Sequence, residues 1–239
     1  MEYNEPTREQ LITMFNLQQQ INAVEEKKRL DSRYPYLRAV VVEGVEAMEH
    51  HGWKWWKKQT KDLKQLQMEL VDIWHFAMSW MLLDCYDGVT EKNPSRISDN
   101  TVAELSADTL GIIREWDKFK GTIGDIKENN AVDILQYVVG HAALHNTFSI
   151  GAFAELLQCC ELSWNDLFKM YVLKNTLNIF RQQHGDKQGS YVKVWNGKED
   201  NVWLVELSND MDVTESTFFD SLYQKLETTY QREHVNQLT

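Results

Sequence analysis

Apolar residues return at helical intervals on both sides of Gly52, and this pattern narrows the fold more than any other feature of the chain. Before the glycine, Leu37, Val40, Val41, Val45 and Met48 form a stripe over residues 36–50. After it, Leu63, Leu66, Leu70, Ile73, Phe76, Ala77 and Trp80 form another over residues 62–84. Steps of three and four place each set on one side of an α-helix. Two such helices joined by the short segment Trp53-Lys54-Trp55-Trp56-Lys57-Lys58 are expected to pack antiparallel.

The remaining chain is equally short of helix breakers. Three prolines and eleven glycines in 239 residues leave room for long helices and little for a turn-rich sandwich. Pro6-Thr7-Arg8-Glu9-Gln10 has the form of a capping box and predicts a helix start. Leu11 and Phe15 begin its apolar face, but the same face continues into Gln19 and Asn22, where core residues would be expected. A glycine and the Asn93-Pro94 step mark a connection over residues 86–98. Helical patterns follow at residues 102–119, with Gly121 as a stop, and at 131–144 and 153–162. Ser163-Trp164-Asn165-Asp166 opens a further helix to residue 183, with Gly185 just past its end. Residues 186–201 are rich in glycine and lysine, and a last helix is expected at 218–230. No fixed-period repeat and no low-complexity segment is evident. The expectation is an all-α helical bundle in a single catalytic domain over residues 1–239, with an irregular basic loop after the 163–183 helix. Residues 86–160 carry apolar faces without separable chemistry and read as an insert or an interface region.

Composition excludes several classes. Hydrophobic residues make up 43% of the chain and include nine tryptophans, enough to fill a core. A formal charge of −11 and the absence of any lysine or arginine run argue against nucleic acid as a partner. The start, Met1-Glu2-Tyr3-Asn4-Glu5, is acidic and lacks the regions of a signal peptide. The longest apolar stretch, near residues 76–83, is too short to span a bilayer. These features predict a soluble intracellular protein. Cys85, Cys159 and Cys160 form neither an even disulfide set nor a zinc spacing, and read as reduced core thiols.

The chemistry is expected on the two central helices. Glu43 and Glu46 lie three apart on the first, and Glu69 and Asp72 lie three apart on the second, so each pair occupies one helix face. Such pairs are common on solvated faces, and Glu49 extends the first run outward. Here, however, both pairs are embedded among core positions. Four carboxylates held close together would repel and raise one another's pKa unless hard, oxygen-preferring cations neutralised them, and magnesium is the expected partner. The helix after Ser163 supplies opposite charge. Lys174, Asn178 and Arg181 fall on one stripe, and the loop beyond adds Lys187, Tyr191, Lys193 and Lys198. Cations facing acids and divalent ions are what a triphosphate requires, although any single lysine reads equally well as ordinary surface.

The run Lys174-Asn175-Thr176-Leu177-Asn178-Ile179-Phe180-Arg181-Gln182, with His184-Gly185, Lys187, Gly189, Tyr191, Lys193, Trp195, Gly197 and Glu199-Asp200-Asn201, closely resembles the C-terminal signature of the dimeric dUTPases, members of the all-α NTP pyrophosphatase superfamily. So do Gln19 and Asn22, Glu43xxGlu46, the tryptophan-rich 53–58 segment, and Glu69-Leu70-Val71-Asp72 with His75. Asp186 stands where that family commonly has an aromatic residue. The resemblance spans about residues 11–84 and 163–201. It implies that Glu43, Glu46, Glu69 and Asp72 bind more than one Mg2+ ion. It implies that Gln19, Asn22, Trp56, His75 and Asn178 form a nucleoside pocket, and that Lys174, Arg181, Tyr191 and Lys193 hold phosphates. It further implies a homodimer that hydrolyses dUTP, and dUDP as a second substrate, to dUMP. Uracil presents an N–H between two carbonyls, which an Asn or Gln amide can match.

The expected mechanism is in-line attack by water activated at the metal site, with Glu46 as the acid that accepts the proton and Glu43 beside it. Two alternatives remain open on the sequence. One is a related pyrophosphatase acting on dCTP or several nucleoside triphosphates. The other is a helical protein that binds nucleotides without hydrolysing them.

Overall fold

The computed structural model describes residues 5–25, 33–90, 99–109, 111–116, 130–215 and 217–235. The described chain is all-α apart from one two-stranded ribbon, as expected. It divides into two compact units, Met1–Leu167 and Phe168–Thr239.

In the first unit the capping box forms at the start of α1 (Arg8–Glu25). The Gln10 backbone N–H donates to Thr7 Oγ1 at 3.2 Å, and the Thr7 N–H donates to Gln10 Oε1 at 3.1 Å. The same Gln10 oxygen accepts from the buried Trp164 indole at 2.6 Å. α2 (Tyr36–His51) ends at Gly52, whose φ of 79° lets its N–H return to the Glu49 carbonyl at 3.2 Å. α3 (Leu63–Thr90) packs along α2 and runs through Gly88, so the connection expected from residue 86 starts later. One helical glycine costs only about 1 kcal/mol. The buried Met81, Leu82 and Cys85 extend the apolar side of α3 toward that end.

α4 (Asp99–Thr109) packs on α1 and α3, and α5 (Ile112–Trp116) follows Gly111, whose φ is 59°. The 102–119 pattern is therefore broken near its middle, and Gly121 and the Asn93-Pro94 step lie outside the described residues. α6 (Ala131–Gly140) packs on α2 and passes into a π-helical turn, His141–His145. α7 (Ile150–Cys159) starts three residues before the expected Phe153, because Ser149 caps it by accepting from the Ala152 N–H. Trp74 stacks on Phe153 at 5.2 Å and meets Trp164 edge-on at 5.8 Å. Burying a ring of this size, about 200 Å², contributes roughly 5 kcal/mol.

α8 (Trp164–Gln183) opens on the expected Ser163/Asp166 box, with Asp166 N–H donating to Ser163 Oγ at 3.1 Å. In the second unit the segment expected as an irregular loop contains ordered pieces. A 3-10 turn, Asp186–Gln188, leads to an antiparallel hairpin of β1 (Val194–Trp195) and β2 (Lys198–Glu199), then to α9 (Asp200–Ser208). α10 (Phe218–Val235) packs on α9. Phe180 is the hub of this unit, with the rings of His184, Tyr191, Trp195, Tyr223 and Tyr230 within 4.0 to 6.1 Å.

Among the described residues no helix is long and apolar enough to cross a membrane. Cys85 and Cys160 are buried, Cys159 is half-buried, and none of the three is in a disulfide. Burial pushes the Cys160 thiol up to about 12, which makes it unreactive.

Candidate active site

The side-by-side packing of α2 and α3 decides where their acids point. Gly44 lets α6 approach α2 closely, since a Cβ there would stand 2.4 Å from Val139 Cγ2. With the Gly44 side of α2 against α6, Glu43 turns toward α3. Glu43, Glu69 and Asp72 each offer a carboxylate oxygen within 4.8 Å of the others. Oxygens that share one hard cation lie at most about 4–5 Å apart, twice the metal–oxygen distance, so these three donors fit such an ion. Glu46, the fourth expected ligand, is exposed and outside this group of three, but close enough for its charge to act on Glu43 and Glu69.

Electrostatics record the crowding. Burial first, and then the charges of Asp72, Glu46 and Glu69, push the Glu43 carboxyl up to about 7. Burial and the charges of Asp72 and Glu46 also raise Glu69. Glu69 is further approached by His50, whose Nε2 lies 3.4 Å from Oε1. Such a cluster is relieved by cations with a preference for oxygen, which is the chemistry that the donor set invites.

A polar seam runs beside the acids between α1 and α3. His75 Nδ1 bonds the Val71 carbonyl at 2.8 Å, and since a carbonyl only accepts, Nδ1 carries the hydrogen in the neutral ring. The same Nδ1 lies 3.9 Å from Asp72 Oδ1. Ser79, one turn further, reaches the His75 carbonyl at 3.1 Å and accepts from Asn22 Nδ2 at 3.1 Å. Gln18 donates to Asn22 Oδ1 at 3.0 Å, and Gln19 is buried. This seam explains why the α1 stripe turns polar at Gln19 and Asn22. Sequence reasoning missed Ser79, His50 and Gln18. Ser79 was within reach, because positions 72, 75 and 79 share one face of α3.

Trp56 is 57% exposed and meets Trp53 and Trp55 edge-on at 5.3 and 5.4 Å. The segment that carries it is pinned at Lys54, whose N–H donates to Gln59 Oε1 at 2.9 Å and whose ammonium pairs with Glu49 at 2.5 Å.

In the second unit Lys174, Asn178 and Arg181 are half-buried along α8. Arg181 donates from Nε and Nη2 to Asp200, both at 2.8 Å, and Tyr191 donates to Asp200 Oδ2 at 2.9 Å. Burial would raise the Asp200 carboxyl, but the bonds from Arg181 and Tyr191 outweigh it and hold it below the usual range. Asp200 is a residue to which the sequence alone attached no role. Lys193 is exposed and 3.7 Å from Asp186. Lys198 pairs with Glu206 at 2.7 Å and lies over the Trp203 ring, so it belongs to the α9 surface. Lys187 is exposed.

Compared with known proteins, the sequence matches the family described as dUTPase over residues 10–185. The match takes in both acidic pairs, the polar seam and the α8 cations, and ends before Tyr191, Lys193 and Asp200. No curated protein matches the chain.

Proposed function

The chain belongs to the dUTPase family and is a hydrolase with dUTP diphosphatase activity, and from that premise we propose that it converts dUTP to dUMP and pyrophosphate with magnesium, and accepts dUDP as a second substrate. The observation that carries the reading is the convergence of Glu43, Glu69 and Asp72 from two packed helices. The family works with a divalent metal and a nucleotide substrate. In this reading Glu43, Glu69 and Asp72, with Glu46 at the edge, hold more than one Mg2+ ion. Bound there, magnesium supplies neutralisation of the triphosphate charge and acidification of water.

The chain's own residues supply the rest. Glu46 is exposed and outside the three-acid group, so its carboxylate oxygen can accept the proton of the attacking water, with Glu43 next to it. Gln19, Asn22, Trp56 and His75 in the first unit, and Asn178 in the second, are the nucleoside-binding residues of this reading. Asn22 is held by Gln18 and Ser79, which fixes how its amide meets the uracil edge. A base that leaves such an amide unpaired is rejected, by up to about 10⁴-fold in favourable sites. Lys174, Arg181, Tyr191 and Lys193 handle the phosphates. The working protein is a homodimer, as the resemblance implies.

Pyrophosphate release from dUTP, dCTP and dTTP, each with magnesium and with excess chelator, tests the reading. Release from dUTP that depends on magnesium is expected, with dCTP and dTTP far slower. Equal rates on dCTP would replace dUTP as the preferred substrate, and full activity in chelator would remove the metal.

A further inference from the structure

Asp200 is 1% exposed, and its carboxylate is surrounded by donors. Arg181 Nε and Nη2 donate at 2.8 Å each, Tyr191 Oη at 2.9 Å, and the backbone N–H of Asn201 at 2.7 Å. A carboxylate has about four acceptor positions, and here four donors meet them. The Asp200 backbone N–H in turn donates to the Lys193 carbonyl at 2.9 Å. One residue at the start of α9 is therefore bonded to Arg181, Tyr191 and Lys193.

We propose that Asp200 is a positioning residue for phosphate recognition: it fixes the guanidinium plane of Arg181 so that its outer edge meets a phosphate, and Tyr191 acts through the same carboxylate. This rests on the reading that Arg181 handles phosphate. A guanidinium carries five N–H groups in one rigid plane. The side-on bond to Asp200 uses Nε–H and one Nη2–H, which leaves three N–H groups, two of them parallel on the Nη1–Nη2 edge, for a second oxyanion. Tyr191 has a single hydroxyl hydrogen and gives it to Asp200. In this arrangement it has none left for a phosphate, so its contribution passes through the carboxylate. The brace also depends on closure of the β1–β2 hairpin, because Asp200 directly follows β2 while Arg181 lies 19 residues earlier.

The test uses full-length Arg181→Ala, Asp200→Asn, Tyr191→Phe and the double variants on the Arg181→Ala background, with steady-state pyrophosphate release from dUTP and a thermal melt of each. Asp200→Asn should lower kcat/KM by about 10- to 100-fold, the usual effect of losing an orienting partner, and Arg181→Ala, which removes the phosphate ligand itself, by at least as much. Arg181→Ala/Asp200→Asn should be no worse than Arg181→Ala alone, a non-additivity that a merely structural role would not produce. Tyr191→Phe should cost several-fold when Arg181 is present and nothing on the Arg181→Ala background. Full activity in Asp200→Asn, or losses that multiply in the double variant, would overturn the brace while leaving Arg181 as a phosphate ligand. Full activity in Arg181→Ala would overturn both. If Asp200→Asn shows no cooperative melt, the two Tyr191→Phe measurements decide in its place.

Discussion

Asn22 on α1 donates to Ser79 on α3 at 3.1 Å, and Ser79 sits one turn beyond His75, whose ring lies beside Asp72. A helix-to-helix contact thereby joins the amide proposed to read the base to the helix that carries two of the acids. Replacing Ser79 by Ala removes the acceptor of a half-buried amide. Stability should fall by about 1–2 kcal/mol, as for an unsatisfied buried donor. The KM for dUTP should rise while kcat stays close to wild type. Denaturant unfolding and steady-state kinetics check both, and an unchanged KM would detach Asn22 from base binding.

The carboxyl of Glu43, pushed up to about 7, makes the stability of the protein depend on pH. Its folded value lies above its ordinary one, so between about 4.5 and 7 the folded state holds a proton that the unfolded chain has released. In the metal-free protein this contribution is fully present below about pH 4.5 and is lost as pH rises through about 7. The melting temperature should fall across that window. At pH 7.5 millimolar magnesium should raise it, because ligand bound only to the folded state stabilises it. Glu43→Gln should melt higher than wild type without metal at pH 7.5 and gain less from magnesium. A flat pH profile in both proteins would argue against charge crowding at the site.

At Gly44, which sits between the two acids of α2, α6 comes close enough that a Cβ would stand 2.4 Å from Val139 Cγ2. Gly44→Ala improves helix propensity by about 1 kcal/mol but sets a Cβ against Val139 Cγ2, and overpacking of this kind costs about 1–3 kcal/mol. The expected result is net destabilisation, together with weaker metal dependence as α2 is displaced. Adding Val139→Ala should recover most of the stability. Two independent losses in the double variant would mean that the two residues do not meet.

The two central helices and their acids were legible because helical period and acidic spacing are local properties. The rotation of α2 is not local. Residues 43 and 46 differ by about 60° around the axis, and the close approach at Gly44 and Val139 decides which of them faces α3. The sequence therefore yields four acids, and the structure gathers three. α9 escaped notice for a related reason. Its buried positions are Asp200, Leu204 and Ser208, so two of the three carry polar residues, while Val202 and Val205 are exposed. A buried aspartate makes sense only with Arg181 and Tyr191 in place, and that pairing is set by tertiary structure. The polar break in the α1 stripe was visible in the sequence. Its partner, Ser79, required the packing of α1 on α3.

Glu46 separates proton transfer from metal binding, because it is exposed and outside the three-acid group while still acting electrostatically on Glu43 and Glu69. A carboxylate that accepts a proton in the rate-limiting step contributes about 10²- to 10⁴-fold. Glu46→Gln keeps the shape and removes the basicity, so kcat should fall by that order while the magnesium concentration for half-maximal activity moves little. Glu69→Gln removes one of the converging oxygens, so it should shift that concentration upward and allow partial recovery of rate at high magnesium. Magnesium titrations of the two variants, run side by side with dUTP in excess, distinguish the roles. Recovery of Glu46→Gln at high magnesium would leave Glu46 a metal ligand only and move the proton acceptor to another residue, of which Glu43 is the nearest in sequence.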